Sequence, residues 1–279
     1  MSTVDLHLHS HHSDGLLSPS ELAAVLAAHA IQFCALTDHD TVAGLDEFAD
    51  AATKVGITTI PGIELSTDWR GKTLHVLALG IDPSARIITE AVQHRLTVRR
   101  ERAQQIASKL DRAGQPGSEA LRRFNQHGAP TRTHFAQALV ALGAAASMDI
   151  AFKRWLSQGQ PGYVKTEWPS LSDTLRTITQ GGGTAVLAHP LRYRLSAGQR
   201  RTLLTDFKSE GGVAIEVVTG GAAMHQIETA TGLALRAGLE ASQGSDCHDP
   251  SLAWQRPGRL AKLPSALVPV WHRFGFKGD

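Results

Sequence analysis

Short apolar runs alternate along the chain with segments in which apolar residues recur at helical spacing. In the first part of the sequence, the runs at residues 4–9, 33–36 and 58–63 are separated by two helical segments, and the first of these opens with a capping-box pattern at Ser18 and Glu21. The resulting order of strand, helix, strand, helix and strand predicts parallel strands joined by right-handed crossovers.

Within the first run, apolar and polar residues alternate one by one. Read as a strand, this alternation places Asp5, His7 and His9 on one face and Leu6 and Leu8 on the other. Two imidazoles that are two residues apart on one strand can hold the same metal ion, while the leucines anchor the strand in an apolar layer.

A fourth apolar run, at residues 74–79, follows Glu64 too closely for a helical crossover. We therefore expect an antiparallel return that keeps His75 near Glu64. After it, strand signals become scarce between residues 87 and 171, and the segment 86–110 is long, helical and basic. This change of character predicts a helical insertion that covers the rest of the fold as a lid.

The alternation of strands and helices resumes at residue 172, with strands predicted at 184–188, 213–218 and 240–244. The total is seven strands, and both the first and the last carry candidate ligands, as closure into a barrel requires. We therefore predict an α/β barrel formed by residues 1–86 and 172–279. The sequence after Pro250 is irregular, and its pattern predicts no role.

The composition limits the classes of function. Hydrophobic residues make up 42% of the 279 residues and charged residues 19%, and the net charge is only +2, so the chain lacks the broad basic surface that duplex nucleic acid requires. The two cysteines, Cys34 and Cys247, predict no disulfide framework. No apolar stretch is long enough to span a membrane. We expect a soluble cytoplasmic protein that binds no membrane.

Side chains that can bind metals cluster at the ends of the predicted strands. A lone histidine at such a position is more often structural, but a series on successive strands indicates a site, because the ends of parallel barrel strands meet at one face. Mixed nitrogen and oxygen ligands suit Mn, Fe(II) or Zn, and the set is large enough for two or three ions. Its members are His7, His9, Asp14, His39, Glu64, His75, His189, Asp246 and His248.

Six motifs that carry these residues occur in a fixed order. They are Asp-Leu-His-Leu-His-Ser at 5–10, Leu-Thr-Asp-His-Asp at 36–40, Pro-Gly-Ile-Glu at 61–64, Leu-His-Val-Leu at 74–77, Ala-His-Pro at 188–190 and Gly-Ser-Asp at 244–246. This set resembles the PHP (polymerase and histidinol phosphatase) family, which implies a distorted (β/α)7 barrel with a trinuclear metal centre. With the helical insertion at 87–171, the sequence further resembles the branch of 3',5'-nucleoside bisphosphate phosphatases and RNase AM, a 5'-to-3' exoribonuclease.

The resemblance also implies how the ligands are divided among the ions. The first ion would be held by His7, His9, Glu64 and Asp246, the second by Glu64 as a bridge with His75 and His189, and the third by Asp14, His39 and His248. Glu64, His189 and Asp246 would then act in catalysis through a metal-bound hydroxide that attacks phosphorus in line. No protein nucleophile is required, so we expect Cys247 only to pack.

A second phosphate group requires cations away from the metals, and arginine matches phosphate oxygens best. Arg95, Arg99 and Arg102 share one face of the basic helix, although a solvated basic stripe beside a packing face explains the same spacing. Arg132 and His134 open a helix whose N-terminus favours anions. The predicted substrate contacts are Arg99, Arg102, Arg132, His134, Lys165 and Arg192, with Tyr163 or Trp168 as an aromatic surface for a base or as a packing anchor.

These observations predict a metal-dependent phosphoesterase, with manganese the favoured ion and iron or zinc as alternatives. The implied substrates are nucleoside 3',5'-bisphosphates such as pAp, which would lose the 3'-phosphate, and short 5'-phosphorylated RNA. A phosphatase of the histidinol-phosphate type is the first alternative, and the arginine-rich insertion counts against it. A non-catalytic metal-binding module is the second, and the complete ligand set counts against that. No obligate protein partner is predicted.

Overall fold

The computed structural model describes residues 1–124 and 128–278, and seven strands form one sheet in chain order. All neighbouring strands are parallel, except that β4 is antiparallel to both β3 and β5. The last strand returns to the first through a parallel bridge between Leu8 and Cys247, which nearly closes the barrel. The strands are β1 (Val4–Leu8), β2 (Phe33–Leu36), β3 (Thr58–Trp69), β4 (Lys72–Leu79), β5 (Thr184–Leu187), β6 (Ala214–Thr219) and β7 (Glu240–Gly244).

The barrel, the antiparallel return of β4 and the capping box at Ser18 and Glu21 were all predicted, and the structure confirms them. None of the described helices combines the length and apolar character needed to cross a membrane. The helices are α1 (Pro19–Ala28), α2 (Leu45–Lys54), α3 (Arg86–Arg112), α4 (Gly117–Phe124), α5 (Arg132–Ala141), α6 (Met148–Ala151), α7 (Leu171–Gln180), α8 (Ala197–Ser209) and α9 (Met224–Ala237), with a π-helical turn at Phe152–Leu156 and a 3-10 turn at Val270–Phe274.

The barrel interior is closed by the C-terminal segment, for which the sequence predicted no role. Along β4, Val76 and Ala78 pack under the surrounding helices, whereas Leu77 and Leu79 lie in a separate cluster with Trp271. Because side chains alternate between the two faces of a strand, this second cluster is the core inside the barrel. Trp271 is almost fully buried there, so the segment after Pro250 fills the end of the barrel.

The strict alternation predicted for β1 is wrong. The pairing register between β1 and β2 shifts between Asp5 and Leu8, which marks a bulge. As a consequence Leu6 packs inside the barrel while Leu8 packs under α1 and α2, although alternation would place both on one face. A bulge re-aims the side chains that follow it, and it is a frequent device beside functional sites.

The segment from α3 to the π-helical turn has a hydrophobic core of its own. The first half of α3 packs on the barrel through Ile88, Val92 and Leu96, whereas its second half joins the cluster that contains α4 and α5. α3 therefore belongs to both cores and ties the second core firmly to the first.

Candidate metal centre

The predicted ligands come together at one end of the barrel. His7 and His9 lie at the end of β1, His39 follows β2, and His189 follows β5. The β3–β4 hairpin adds Glu64 and His75, whose Oε1 and Nδ1 atoms are 3.0 Å apart. The remaining members lie in the loops after β1 and β7: Asp14, Asp246 and His248.

Glu64 is the centre of the cluster. Its Oε1 lies 3.0 Å from His75 Nδ1 and 3.2 Å from His189 Nε2. Its Oε2 lies 2.8 Å from His39 Nδ1 and 3.3 Å from Nε2 of both His7 and His9. Burial alone would raise the pKa of this carboxyl, but the surrounding imidazoles outweigh burial and hold the pKa well below its usual range. The two oxygens thus face different sets of histidines, as a bridging carboxylate requires.

The ligand atoms form four overlapping groups, and within each group all of them lie within 4.8 Å of one another. Together the groups contain all nine predicted ligands. His9 belongs to two groups, one of which contains the three ligands that the resemblance assigns to the third ion. The groups are His7, His9 and Asp246; His7, Glu64 and His189; His39, Glu64 and His75; and His9, Asp14, His39 and His248.

Several of these atoms are buried without a hydrogen-bond partner, because their close contacts with one another lack hydrogen-bond geometry. A buried polar atom without a partner costs about 1–3 kcal/mol, so a group of them at one point indicates a site for a positively charged ligand. Imidazole nitrogens and carboxylate oxygens are the donors that divalent transition metals accept. The cluster is therefore a metal-binding site. The atoms are Nε2 of His7 and His9, Nδ1 of His39 and His75, Oδ1 of Asp14 and Oε2 of Glu64.

A second layer of carboxylates orients the ligands, and sequence reasoning missed it. Glu216 Oε1 lies 2.8 Å from His7 Nδ1, and Glu216 Oε2 accepts a hydrogen bond from the backbone N–H of His189. Such partners fix the ring orientation of a metal-binding histidine. A glutamate within the apolar strand Ala214–Thr219 was the available signal.

Two further aspartates flank His39 and have different tasks. Asp38 accepts hydrogen bonds from the hydroxyls of Ser10 and Ser13, and so fixes the loop that carries Asp14. Asp40 is fully buried and pairs with arginines of α3 instead. The motif that supplies one ligand therefore also fixes a loop and a helix.

The backbone at the site is strained at three residues with positive φ: Asp40 (φ 53°), His189 (φ 31°) and Asp246 (φ 54°). Residues other than glycine rarely adopt this conformation, and it concentrates at functional sites.

Gly244 is required for a steric reason, because a Cβ there would lie 2.2 Å from His7 Cβ. Only glycine allows β7 to approach the metal-binding strand so closely.

A cleft of about 590 Å³ opens from the cluster toward the α3–α5 region. Its lining includes four of the predicted ligands and a set of basic and aromatic residues from the region between residues 99 and 168. The ligands are Asp14, His39, His75 and His248, and the others include Arg99, Arg102, Arg132, Tyr163, Lys165 and Trp168.

Arg99 lines this cleft, but its guanidinium is already engaged. Nη2 lies 2.7 Å from Asp40 Oδ2 and also donates to Ser66 Oγ, while Nη1 donates to the Pro130 carbonyl. Arg95 is buried beside it and donates to the Ser66 carbonyl and to Thr174. Arg95 and Arg99 are therefore buried and bonded rather than part of a solvated stripe, and contact of Arg99 with substrate stays a prediction.

Arg102 and Arg132 differ from these two residues. Within the described residues neither guanidinium has a hydrogen bond or an ion pair, and Arg102 Nε is buried without a partner. Burial, and then the neighbouring Arg132 and Arg99, lower the pKa of Arg102 to about 9. Burial also lowers the pKa of Arg132. Two cations that lie close together without an anion form a site that favours a bound anion.

The other predicted contacts have separate positions. His134 is buried, accepts a hydrogen bond from the Thr131 N–H through Nδ1 and stacks on Phe124, so it caps α5 and is absent from the cleft lining. Lys165 is exposed on the cleft lining. Arg192 pairs with the ligand Asp246. Cys247 is buried, and burial raises the pKa of its thiol, so it packs as predicted.

The fold and the cluster define a metal-binding α/β barrel, and the PHP domain family model matches residues 5–129. A 5'-3' exoribonuclease of Haemophilus influenzae is 39% identical over 270 residues, which cover 97% of this chain and 98% of the relative. A 3',5'-nucleoside bisphosphate phosphatase of Chromobacterium violaceum is 39% identical over 273 residues, which cover 97% and 96%. The chain belongs to the PHP family, as its motifs predicted.

The fold has a close match among solved structures. The structure of an amidohydrolase from Chromobacterium violaceum, with bound sulfate and no metal, gives a TM-score of 0.92 at 38% sequence identity. The match covers 98% of this chain and 96% of the other, so the barrel and the α3–α5 region are both included.

Proposed function

We propose that the protein is a metal-dependent phosphoesterase that removes the 3'-phosphate of nucleoside 3',5'-bisphosphates. One observation carries the proposal: a single cleft is lined both by the metal cluster and by two guanidiniums without an anion partner, Arg102 and Arg132. A substrate with two phosphates on one nucleoside matches these two sites. The names of the relatives, a bisphosphate phosphatase and a 5'-3' exoribonuclease, support this reading.

The residues that would hold the ions are the nine predicted ligands, with Glu64 shared between two ions because its oxygens face different histidines. When bound, divalent ions acidify a water molecule and neutralise charge on the phosphoryl oxygens. We propose manganese, since the mixed imidazole and carboxylate donors suit it, with iron and zinc as alternatives.

The residues of the chain supply orientation. Glu64 Oε1 lies 3.2 Å from His189 Nε2, and His7 Nε2 lies 3.3 Å from Glu64 Oε2 and 3.4 Å from Asp246 Oδ1. As ligands, Glu64, His189 and Asp246 would position the ions that bind the reacting phosphoryl group. Arg102 and Arg132 would bind the 5'-phosphate, with Lys165 at the mouth of the cleft. In the reaction, water adds to phosphorus, the bond from phosphorus to the 3' oxygen breaks, and this oxygen takes up a proton derived from the water.

The same bond can be broken in short 5'-phosphorylated RNA, where the 3'-phosphate of the first nucleotide is esterified to the second. We propose a small nucleotide or a short RNA as substrate, without duplex nucleic acid, a membrane or an obligate protein partner. A cytoplasmic location agrees with the two free cysteines. The region 87–171 would act as a lid, since it supplies Arg102 and Arg132.

The test measures phosphate release, with added Mn²⁺, from pAp, 3'-AMP, 5'-AMP and histidinol phosphate, and release of a 5'-mononucleotide from a short 5'-phosphorylated RNA. We expect rapid release from pAp, slower release from 3'-AMP and none from 5'-AMP. Release from histidinol phosphate alone would support the alternative of a histidinol-phosphate-type enzyme. If no substrate reacts with any of Mn²⁺, Fe²⁺ and Zn²⁺, the alternative of a non-catalytic metal-binding module gains support.

Replacing Arg102 by alanine removes half of the anion site without touching a metal ligand. We expect kcat/KM for pAp to fall by about 10- to 100-fold, mainly through KM, because a charge-assisted hydrogen bond to phosphate is lost. The matched control is Arg100→Ala, an exposed residue of the same helix. For 3'-AMP, which lacks the 5'-phosphate, Arg102→Ala should change little, and an equal loss for both substrates would contradict this assignment.

A further inference from the structure

A second cavity of about 430 Å³ adjoins the metal cluster. It lies between the loops that follow β5 and β6 and the helix α9. Its lining includes His189, Arg192, Glu216, Gly220, Gly221 and Trp254. Arg192 also lines the main cleft, so one side chain borders both spaces.

The cavity wall is built to receive a flat apolar group. Apart from His189, Arg192 and Glu216, its lining consists of uncharged residues, among them Pro190, Leu191 and Ala222. Trp254 is 49% exposed, and the Arg192 guanidinium lies 5.9 Å from the centre of its ring. An exposed indole beside a cation is a typical surface for stacking a nucleobase.

Trp254 is held in place by the metal-binding loop. The next residue, Gln255, is buried, and its Oε1 accepts hydrogen bonds from the backbone N–H groups of His248 and Asp249. On the other side, a Cβ at Gly220 would lie 2.1 Å from the Ser245 carbonyl oxygen and 2.7 Å from that of Trp254. The backbone of Trp254 is therefore fixed on both sides.

The chemistry of an RNA substrate requires such a space. In a nucleoside bisphosphate, the phosphorus that reacts carries three oxygens besides the 3' oxygen, and none of them is substituted. In RNA, one of the three is the 5' oxygen of the next nucleotide. The RNA strand must therefore continue away from the cluster. Since the first nucleotide extends from the cluster toward Arg102 and Arg132, the second nucleotide requires a different space.

We propose that the cavity at Trp254 binds the second nucleoside of a short 5'-phosphorylated RNA, with its base stacked on the indole. This inference rests on the proposed function and distinguishes its two substrates, because only one of them would use the cavity. RNA needs the cavity for its second nucleoside, whereas pAp has no second nucleoside to occupy it. Its apolar lining, and the pairing of Arg192 with Asp246, favour a neutral base over another phosphate.

The experiment compares pAp with the dinucleotide pApA in the presence of Mn²⁺. For Trp254→Ala, we expect kcat/KM for pApA to fall by about 5- to 150-fold, chiefly through KM, since this is the usual effect of losing one base–aromatic stack. Trp254→Phe should retain most of the activity toward pApA. For pAp, Trp254→Ala should stay within about twofold of wild type, as for a surface substitution. Leu252→Ala, an exposed residue of the same loop, is the matched control.

A substrate that lacks the second base gives an independent readout. Wild type should hydrolyse this abasic analogue of pApA as poorly as Trp254→Ala hydrolyses pApA, and the variant should lose nothing further with it. An equal loss of pAp and pApA activity in Trp254→Ala, or no loss at all, would overturn the subsite while leaving the phosphoesterase intact. Failure of the wild type to hydrolyse either substrate would instead overturn the proposed function.

Discussion

At the scale of single residues, the site depends on Glu216, a carboxylate outside the predicted ligand set that contacts two of its members. Glu216 joins two of the predicted ligands, because one oxygen faces His7 Nδ1 and the other accepts the N–H of His189. In Glu216→Gln the amide can serve only one of these donors, since its NH₂ group would then face the other N–H.

We expect Glu216→Gln to weaken metal binding by about 10- to 100-fold, the usual cost of losing an outer partner of a ligand. The measurement is a Mn²⁺ titration of activity, supported by calorimetry, with Glu228→Gln on the exposed surface as the control. An unchanged titration midpoint would mean that Glu216 only fills space.

Most of the nine predicted ligands follow from the sequence because they lie at or just after strand ends, which the fold brings together. Glu64 and His75 lie within β3 and β4, and the antiparallel return predicts that they are close. Glu216 could not be found in this way. Glu216 lies within a strand, and its role depends on which histidine of β1 faces it across the barrel. That contact joins residues 209 positions apart in the sequence. The bulge in β1 was hidden for a similar reason, because it is a property of how two strands pair.

At the scale of elements, α3 is attached to the barrel by a buried ion pair. Arg99 is 3% exposed and Asp40 is fully buried, and the two lie 2.7 Å apart, with Arg95 close by. Burial raises the pKa of Asp40, but Arg99 and Arg95 outweigh it and lower the pKa below its usual value. The spacing of the arginines predicted one shared helix face, and only the structure shows that Arg95 and Arg99 on that face contact a buried carboxylate.

Removing one member of this pair leaves the other charged and buried. We expect Arg99→Met to destabilise the fold by about 3–5 kcal/mol, whereas Arg99→Met combined with Asp40→Asn should cost less than the sum of the single changes. Urea unfolding measures these free energies, and the exposed Arg100→Met is the control, expected within about 0.5 kcal/mol of wild type. A cost below about 1 kcal/mol for Arg99→Met would contradict this structural role.

At the scale of the whole molecule, the two hydrophobic cores are joined around one cleft. The barrel supplies the ligands, and the second core, through α3 and α5, supplies Arg102 and Arg132. We propose the division into a barrel and a lid that the sequence predicted, with α3 as the shared element. The barrel itself could be predicted because periodicity and strand count are local features. The closure of its far end by Trp271 could not, since the last segment carries no periodic pattern.

Stability should depend on the metal throughout the molecule, because the ligands come from β1, the β3–β4 hairpin and the loops after β2, β5 and β7. Without ions, buried nitrogen and oxygen atoms of the cluster lack partners. An ion that binds only the folded state stabilises it by about 2.7 kcal/mol at a concentration of 100 Kd. In a chain of this size, that corresponds to a rise of roughly 5–10 °C in Tm.

We expect Mn²⁺ added to chelator-treated protein to raise Tm by this amount. His9→Ala should lose most of the rise because His9 belongs to two of the ligand groups, whereas the exposed His225→Ala should retain it. Differential scanning fluorimetry across a Mn²⁺ series gives both shifts without relying on activity. An equal shift in wild type and His9→Ala would place the stabilising ions outside the cluster. A shift that is lost only in His9→Ala would tie the ions to the strand ends where the first motif of the sequence predicted them.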